Sequence, residues 1–183
     1  MSTGIVRGSP GVVTTSDTRY VLLRAARSSD LVSLTGLLNH EIETGTASWT
    51  SVPKSQETMA QWIVERTGAG FPVVVAEDDA TVLGYGSYGP FRTGEGYGKT
   101  VEHTVYVSPS ARRRRIATRL MERLISQAKD DGYHRMVGVI SADQEGSLAL
   151  HRALGFREVG HLPEVGHKFG RWLDLKVLVL PLG

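Results

Sequence analysis

The sequence predicts a single mixed α/β domain, and three observations carry that reading. Short apolar or alternating runs interleave with stretches of helical period along nearly the whole chain. A length of 183 residues suits one compact domain. Nothing between Tyr20 and Pro181 resembles a linker long enough to separate two, and no internal repeat is visible.

The elements follow in order. Residues 20–26 form a short apolar run and read as a strand, followed by the helix-capping types Ser28, Ser29 and Asp30. Leu31, Leu34, Leu38 and Ile42 then recur at helical spacing, which predicts a helix over 31–43. A second helix is predicted over 55–67, with Met59, Trp62 and Ile63 facing inward and Gly68 and Gly70 ending it. Residues 71–77 and 81–88 are β-rich and joined by Asp78-Asp79-Ala80, the pattern of an antiparallel hairpin. Another strand is predicted over 101–107. Ile116, Leu120, Leu124 and Ala128 mark an amphipathic helix whose apolar stripe Met121 and Ile125 widen. A strand over 133–140, a short helix over 147–154, and strands over 156–160 and 172–180 complete the order.

Composition narrows the function classes. The chain is 40% hydrophobic and 22% charged, an ordinary globular balance. Residues 1–18, rich in Gly, Ser and Thr, read as a disordered leader, leaving 19–183 as the domain. Without cysteine, disulfides, thiolate metal sites and an acyl-cysteine intermediate are excluded. No apolar run approaches the ~20 residues of a membrane span, so a soluble cytoplasmic protein is the expectation. The net charge is +2, but Arg112, Arg113, Arg114 and Arg115 are contiguous. Setting those four aside leaves 17 basic residues against 19 acidic ones. A surface that coats nucleic acid or membrane would spread its positive charge more widely.

The arginine cluster is a local conflict. Arginines at a helix amino terminus oppose the macrodipole, at about 0.3–1 kcal/mol for each charge in the first turn, and they repel one another. A phosphorylated ligand resolves the conflict, since free amides and cationic side chains both favour oxyanions. The alternative is a solvated basic face or a docking patch for RNA.

The segment from Arg112 to Ala117 resembles the acetyl-CoA loop of the GCN5-related N-acetyltransferases, Gln/Arg-x-x-Gly-x-Gly/Ala, with Arg115 where that family usually has glycine. Asn39-His40-Glu41-Ile42-Glu43-Thr44, Thr100-Val101-Glu102-His103-Thr104-Val105-Tyr106-Val107-Ser108-Pro109 and Gly166-His167-Lys168-Phe169-Gly170-Arg171-Trp172 are similar to one branch, the phosphinothricin and methionine sulfoximine N-acetyltransferases. The likeness runs from about Leu23 to Pro181 with consistent spacing.

The resemblance implies a central, mostly antiparallel sheet with a splayed parallel strand pair, flanked by helices. It implies acetyl-CoA as cosubstrate, no metal, direct transfer to a small-molecule amine in a ternary complex, and a homodimer. It sets the thioester beside Val105, Tyr106 and Val107, and the pyrophosphate on the loop of Arg112, Arg113, Arg114, Arg115, Ile116, Ala117 and Thr118. Gln144 falls where many relatives contact the cofactor through asparagine.

The chemistry needs an amine stripped of its proton, a polarised carbonyl and a protonated leaving thiolate. The resemblance makes Glu102 the base; its alternative is a surface carboxylate paired with Lys99 or Arg92. His151 stands where many relatives have a general-acid tyrosine, and a histidine can exchange a proton near neutral pH; a structural role is the alternative. A regular strand turns His103 away from Glu102, and the resemblance puts His103 and Thr104 at the border of the acceptor pocket. The loop with Arg92, Thr93 and Gly94 is the expected recognition element, with Arg92 able to hold a carboxylate or phosphinate. Trp49 is expected either to wall that pocket or to fill core. Lys168, Arg171 and Trp172 carry a structural, dimer or substrate role. The competing functions are acetylation of a protein amino terminus or an aminoglycoside, and a non-catalytic module docking RNA or protein through the arginines.

Overall fold

The computed structural model describes residues 21–183, so the expected leader lies outside the described residues. The elements are β1 (Leu22–Ala25), α1 (Leu31–Thr44), α2 (Gln56–Gly68), β2 (Val73–Asp78), β3 (Thr81–Pro90), β4 (Thr100–Val107), α3 (Ile116–Asp130), β5 (Arg135–Ser141), α4 (Glu145–Ala153), β6 (Arg157–Lys168) and β7 (Arg171–Pro181). The seven strands form one sheet in the order β1-β2-β3-β4-β5-β7-β6. Every neighbouring pair is antiparallel except β4 with β5.

Helices cover both faces. Leu34 of α1 and Met59 of α2 pack with Val75 and Tyr85 on one side. On the other, Ile116, Leu120, Leu124 and Ala128 of α3 join Leu148 of α4, Tyr88, Val101 and Met136. The start of α1 is fixed by charge: Asp30 is buried, takes two hydrogen bonds from Arg24 at 2.7 and 2.8 Å, and accepts the Arg27 amide at 2.7 Å. Arg24 holds the Asp30 carboxyl below its ordinary value. In α2 the Ser55 hydroxyl accepts from the Thr58 amide at 3.2 Å, an ordinary N-cap.

The hairpin between β2 and β3 turns on two residues rather than the expected three, Asp79 and Ala80, both at positive φ. That is the geometry of a primed turn, whose twist matches that of the strands. A larger departure is β6, expected to end at Gly160 and observed to run to Lys168. Its register against β7 shifts between Glu158 and Gly160 and again between Leu162 and Gly166. Glu164 takes φ 53° there, and its amide donates to the Asp174 carboxylate at 2.9 Å. Gly160, Pro163 and Gly166 punctuate the strand; the bulges absorb them.

The parallel pair positions the site. β4 and β5 are in register only over Thr100–Arg135, Val101–Met136 and Glu102–Val137. Beyond Glu102 the strands diverge, and β4 from His103 to Val107 has no partner on its β5 side.

Leu124 is fully buried, whereas Val64 of α2 is 68% exposed. Leu124→Ala should lower the unfolding free energy by about 2–5 kcal/mol, and Val64→Ala should change it by less than about 0.5 kcal/mol. Urea titrations of the two variants check this.

Candidate active site

Strand alternation sorts the residues of β3 and β4 onto two faces. Tyr85 with Tyr106, Ser87 with Thr104, and Gly89 with Glu102 are cross-strand pairs facing α1 and α2. Tyr88 and His103 form the intervening pair and face the α3 side. Two adjoining cavities lie along the α2 face. One of about 300 Å³ is walled by Leu38, Met59, Trp62, Tyr85 and Tyr106. The other, about 170 Å³, is bordered by Ser87, Pro90, Glu102 and His103. Thr104 and Arg66 line both.

Glu102 is half-buried. Burial pushes its carboxyl pKa up, and the nearby Arg92 and Arg66 partly oppose that rise. Arg92 comes no closer than 3.8 Å to a Glu102 oxygen, and its side chain is 60% exposed. Its guanidinium lies 4.3 Å from the Phe91 ring centroid and donates to the Phe91 carbonyl at 2.9 Å. Thr93 and Gly94 are exposed and line neither cavity. Lys99, the other partner considered for Glu102, makes no ion pair with it.

On the opposite face, at the fork of the parallel strands, His103 stacks on His151 with centroids 4.9 Å apart. Their Nε2 atoms are separated by 2.9 Å, and His151 Nδ1 lies 2.6 Å from the Ser147 carbonyl. A neutral pair has one arrangement that satisfies these contacts: His151 Nδ1–H donates to Ser147, and His103 Nε2–H donates to His151 Nε2. His103 Nδ1 is then a buried acceptor, and no described residue partners it. Burial, with the neighbouring His151 adding to it, drives the His103 pKa down to about 3. Burial likewise lowers that of His151, against the pull of the Ser147 carbonyl. Phe156 presents its edge to both rings. Gly138 of β5 makes the room: a Cβ there would stand 2.9 Å from His103 Nε2 and 3.3 Å from His151 Cδ2.

The arginine loop has its own geometry. Arg113 and Arg115 are both left-handed, at φ 61° and 60°, on either side of Arg114. The amides of Arg113, Arg114, Arg115, Ile116, Ala117 and Thr118 meet no acceptor among the described residues. Alternation of this kind turns successive N–H groups into one anion-binding concavity. Only Arg114 is spent on an ion pair within the described residues, to Asp78 at 2.5 Å. The loop therefore fits an anionic pyrophosphate. Arg115, the N-cap of α3, takes the left-handed conformation that suits glycine better, and its side chain is exposed.

Three residues have neighbours that the sequence did not disclose. Trp49 lies against Gly166 of β6, in the space a Cβ would occupy, and lines neither cavity. Gln144, the N-cap of α4, donates to the Thr46 hydroxyl at 2.6 Å, and Thr46 donates to Asp143 at 2.8 Å. Lys168 is buried and donates to the carbonyls of Gly45 and Ser48 at 2.6 and 2.5 Å. All three fasten the loop between α1 and α2. Arg66 went unnoticed because α2 read as a packing helix; its signal was an arginine one turn beyond Trp62 on the buried stripe.

The profile of the Acetyltransferase (GNAT) family matches residues 34–156. The chain is 39% identical over 160 residues to the L-amino acid N-acyltransferase MnaT of Escherichia coli, covering 87% of this chain and 93% of that one. It is 40% identical over 161 residues to an L-methionine sulfoximine/L-methionine sulfone acetyltransferase of Pseudomonas aeruginosa, with 87% and 94% coverage. A GNAT superfamily phosphinothricin acetyltransferase from Sinorhizobium meliloti, solved in complex with AcCoA, superposes with a TM-score of 0.87 at 37% identity over 89% of each chain. The free cradle before α3, the forked β4–β5 pair and these likenesses agree: the chain belongs to the Acetyltransferase (GNAT) family.

Proposed function

We propose that the protein transfers the acetyl group of acetyl-CoA to the α-amine of a small amino acid or analogue, of the methionine sulfoximine, methionine sulfone or phosphinothricin type. One observation carries the acceptor side: Glu102, a half-buried carboxylate with no hydrogen bond of its own among the described residues, faces a cavity beside the edge of β4 that β5 leaves unpaired. Acetyl-CoA supplies the activated acetyl thioester. The amides of Arg113 to Thr118, with Arg112, Arg113 and Arg115 around them, would hold its pyrophosphate. On the free edge of β4, either side of Tyr106, the amides of Val105 and Val107 point away from β3 and offer backbone donors for the developing oxyanion.

Glu102 attracts the acceptor ammonium and then takes its proton, directly or through water, which its raised pKa makes easier; the freed amine attacks the thioester carbonyl, and as the adduct collapses the C–S bond breaks and the proton still on the nitrogen passes to the departing thiolate. Thr104 borders the same space. Arg92, Thr93 and Gly94 form the rim over which the acceptor enters, and Gln144 steadies the loop opposite. With no cysteine to carry the acetyl group, transfer is direct. Glu102→Gln should cut kcat/KM for the amine about 10²- to 10⁴-fold at neutral pH while leaving the KM for acetyl-CoA nearly unchanged. The acid limb of the wild-type kcat/KM profile should lie above the ordinary carboxylate range and vanish in the variant. Equal turnover at every pH would remove Glu102 from the mechanism.

His103 and His151 stay neutral and share one proton across the fork; the ring nitrogens of His151 are both engaged at rest, so its part is to hold His103 and the fork in place. Between the lowered folded pKa values and about 6.5, the unfolded chain binds protons that the folded pair refuses. Stability is therefore complete above about pH 6.5 and falls as pH drops, by up to ~1.4 kcal/mol per pH unit for each ring. Urea midpoints measured from pH 7.5 to 5 should decline in the wild type and decline less in His103→Gln.

The protein also works as a homodimer through the outer edge of β6, which ends the sheet and exposes Val159, Leu162 and Val165, with Phe169 and Trp172 beside them. Apolar side chains clustered on an unpaired strand edge are the usual mark of an interface. Light scattering should give twice the 19.9 kDa chain mass, and Val165→Lys should shift it to the monomer. A monomeric wild type overturns this part.

A further inference from the structure

We propose that Arg66 anchors the α-carboxylate of the acceptor, so that the site recognises a zwitterion with its carboxylate on Arg66 and its ammonium on Glu102. This deepens the functional reading above and rests on it. The Ser55 cap and the burial of Met59 set the rotation of α2, and Arg66 follows Trp62 by one turn on the same stripe. Its guanidinium lies 5.4 Å from the Trp62 ring centroid and 5.9 Å from that of Phe71. It also presses on Gly89, where a Cβ would stand 1.2 Å from Nη1. The cation is thus held in place before any ligand arrives.

Its charge is unanswered among the described residues. Arg24, Arg114, Arg152 and Arg171 each meet a carboxylate. Arg66 has neither an ion pair nor a side-chain hydrogen bond among the described residues, although it is half-buried and its burial works against the charge, with only Glu102 opposing at a distance. Glu102 lines the same 170 Å³ cavity without pairing with it. Opposite charges that face one small cavity and do not touch leave room for a ligand carrying both. Arg66 also lines the 300 Å³ cavity of Leu38, Met59, Tyr85 and Tyr106, which is placed to take the acceptor side chain. Arg92, by contrast, is mostly in solvent and already lies over Phe91. A planar fork suits a carboxylate, and one fixed in advance loses little freedom on binding.

The test compares methionine sulfone with its α-carboxamide, each assayed with acetyl-CoA. The wild type should prefer the acid. In Arg66→Gln, kcat/KM for the acid should fall about 10²-fold and that for the amide by less than about threefold, erasing the preference, while the KM for acetyl-CoA and the Tm hold. Arg66→Lys, which keeps the charge without the fork, should lose about tenfold on the acid. Arg92→Gln should lower both acceptors alike. Equal loss on acid and amide in Arg66→Gln, no loss on the acid, or loss of the preference in Arg92→Gln instead would overturn the assignment. A wild type that acetylates both acceptors without preference sinks the anchor alone. One that acetylates simple amines and no amino acid sinks the acceptor class and the anchor with it.

Discussion

The site depends on the fork between β4 and β5. Three parallel pairs hold the strands together, and after Glu102 they separate. Backbone polar groups in a sheet interior are ordinarily paired, so an open edge at its centre must be kept open by something. The stacked imidazoles of His103 and His151 stand at that point, admitted by the missing side chain of Gly138 and backed by the edge of Phe156. A charged pair there would repel itself in a medium that solvates it poorly. The neutral pair with one shared proton is both a spacer and a hydrogen-bonded strut.

The alternation of β4 divides the machinery. Glu102, Thr104 and Tyr106 serve the α1–α2 face, while His103 turns to the α3–α4 face. The groups proposed to receive the amine therefore lie across the sheet from the histidine pair at the fork. The arginine loop makes a third station at the start of α3, where unpaired amides converge. One strand and its flanking loop thus set the placement of all three.

Much of this was legible in the sequence. Every helix and all seven strands follow from apolar spacing and capping residues, whereas the left-handed backbone at Arg115, where the family usually has glycine, is seen only in the structure. The opposed directions of Glu102 and His103 follow from strand alternation alone. The parallel fork was not in the periodicity, because pairing between β4 and β5 is a long-range choice that local pattern does not encode. It came from resemblance. The full length of β6 was hidden because glycine and proline read as strand ends, whereas bulges carry them. The histidine pair joins residues 48 positions apart, and Arg66 was masked by the plain packing role of its helix. Gln144 follows from its position in the family and Trp49 from being an aromatic side chain beyond the end of α1, and their observed partners are loop contacts.

Lys168 is the last residue of β6, and its ammonium grips two carbonyls of the loop that leads from α1 to α2. That loop ends at the helix whose Met59 and Trp62 line the larger cavity and whose Arg66 lines both. The outermost strand and the two cavities are therefore parts of one mechanical frame with a buried cation as its rivet. A shift of the β6–β7 hairpin at the rim of the sheet is carried inward to the cavity floor, and a change in cavity shape is felt at the rim.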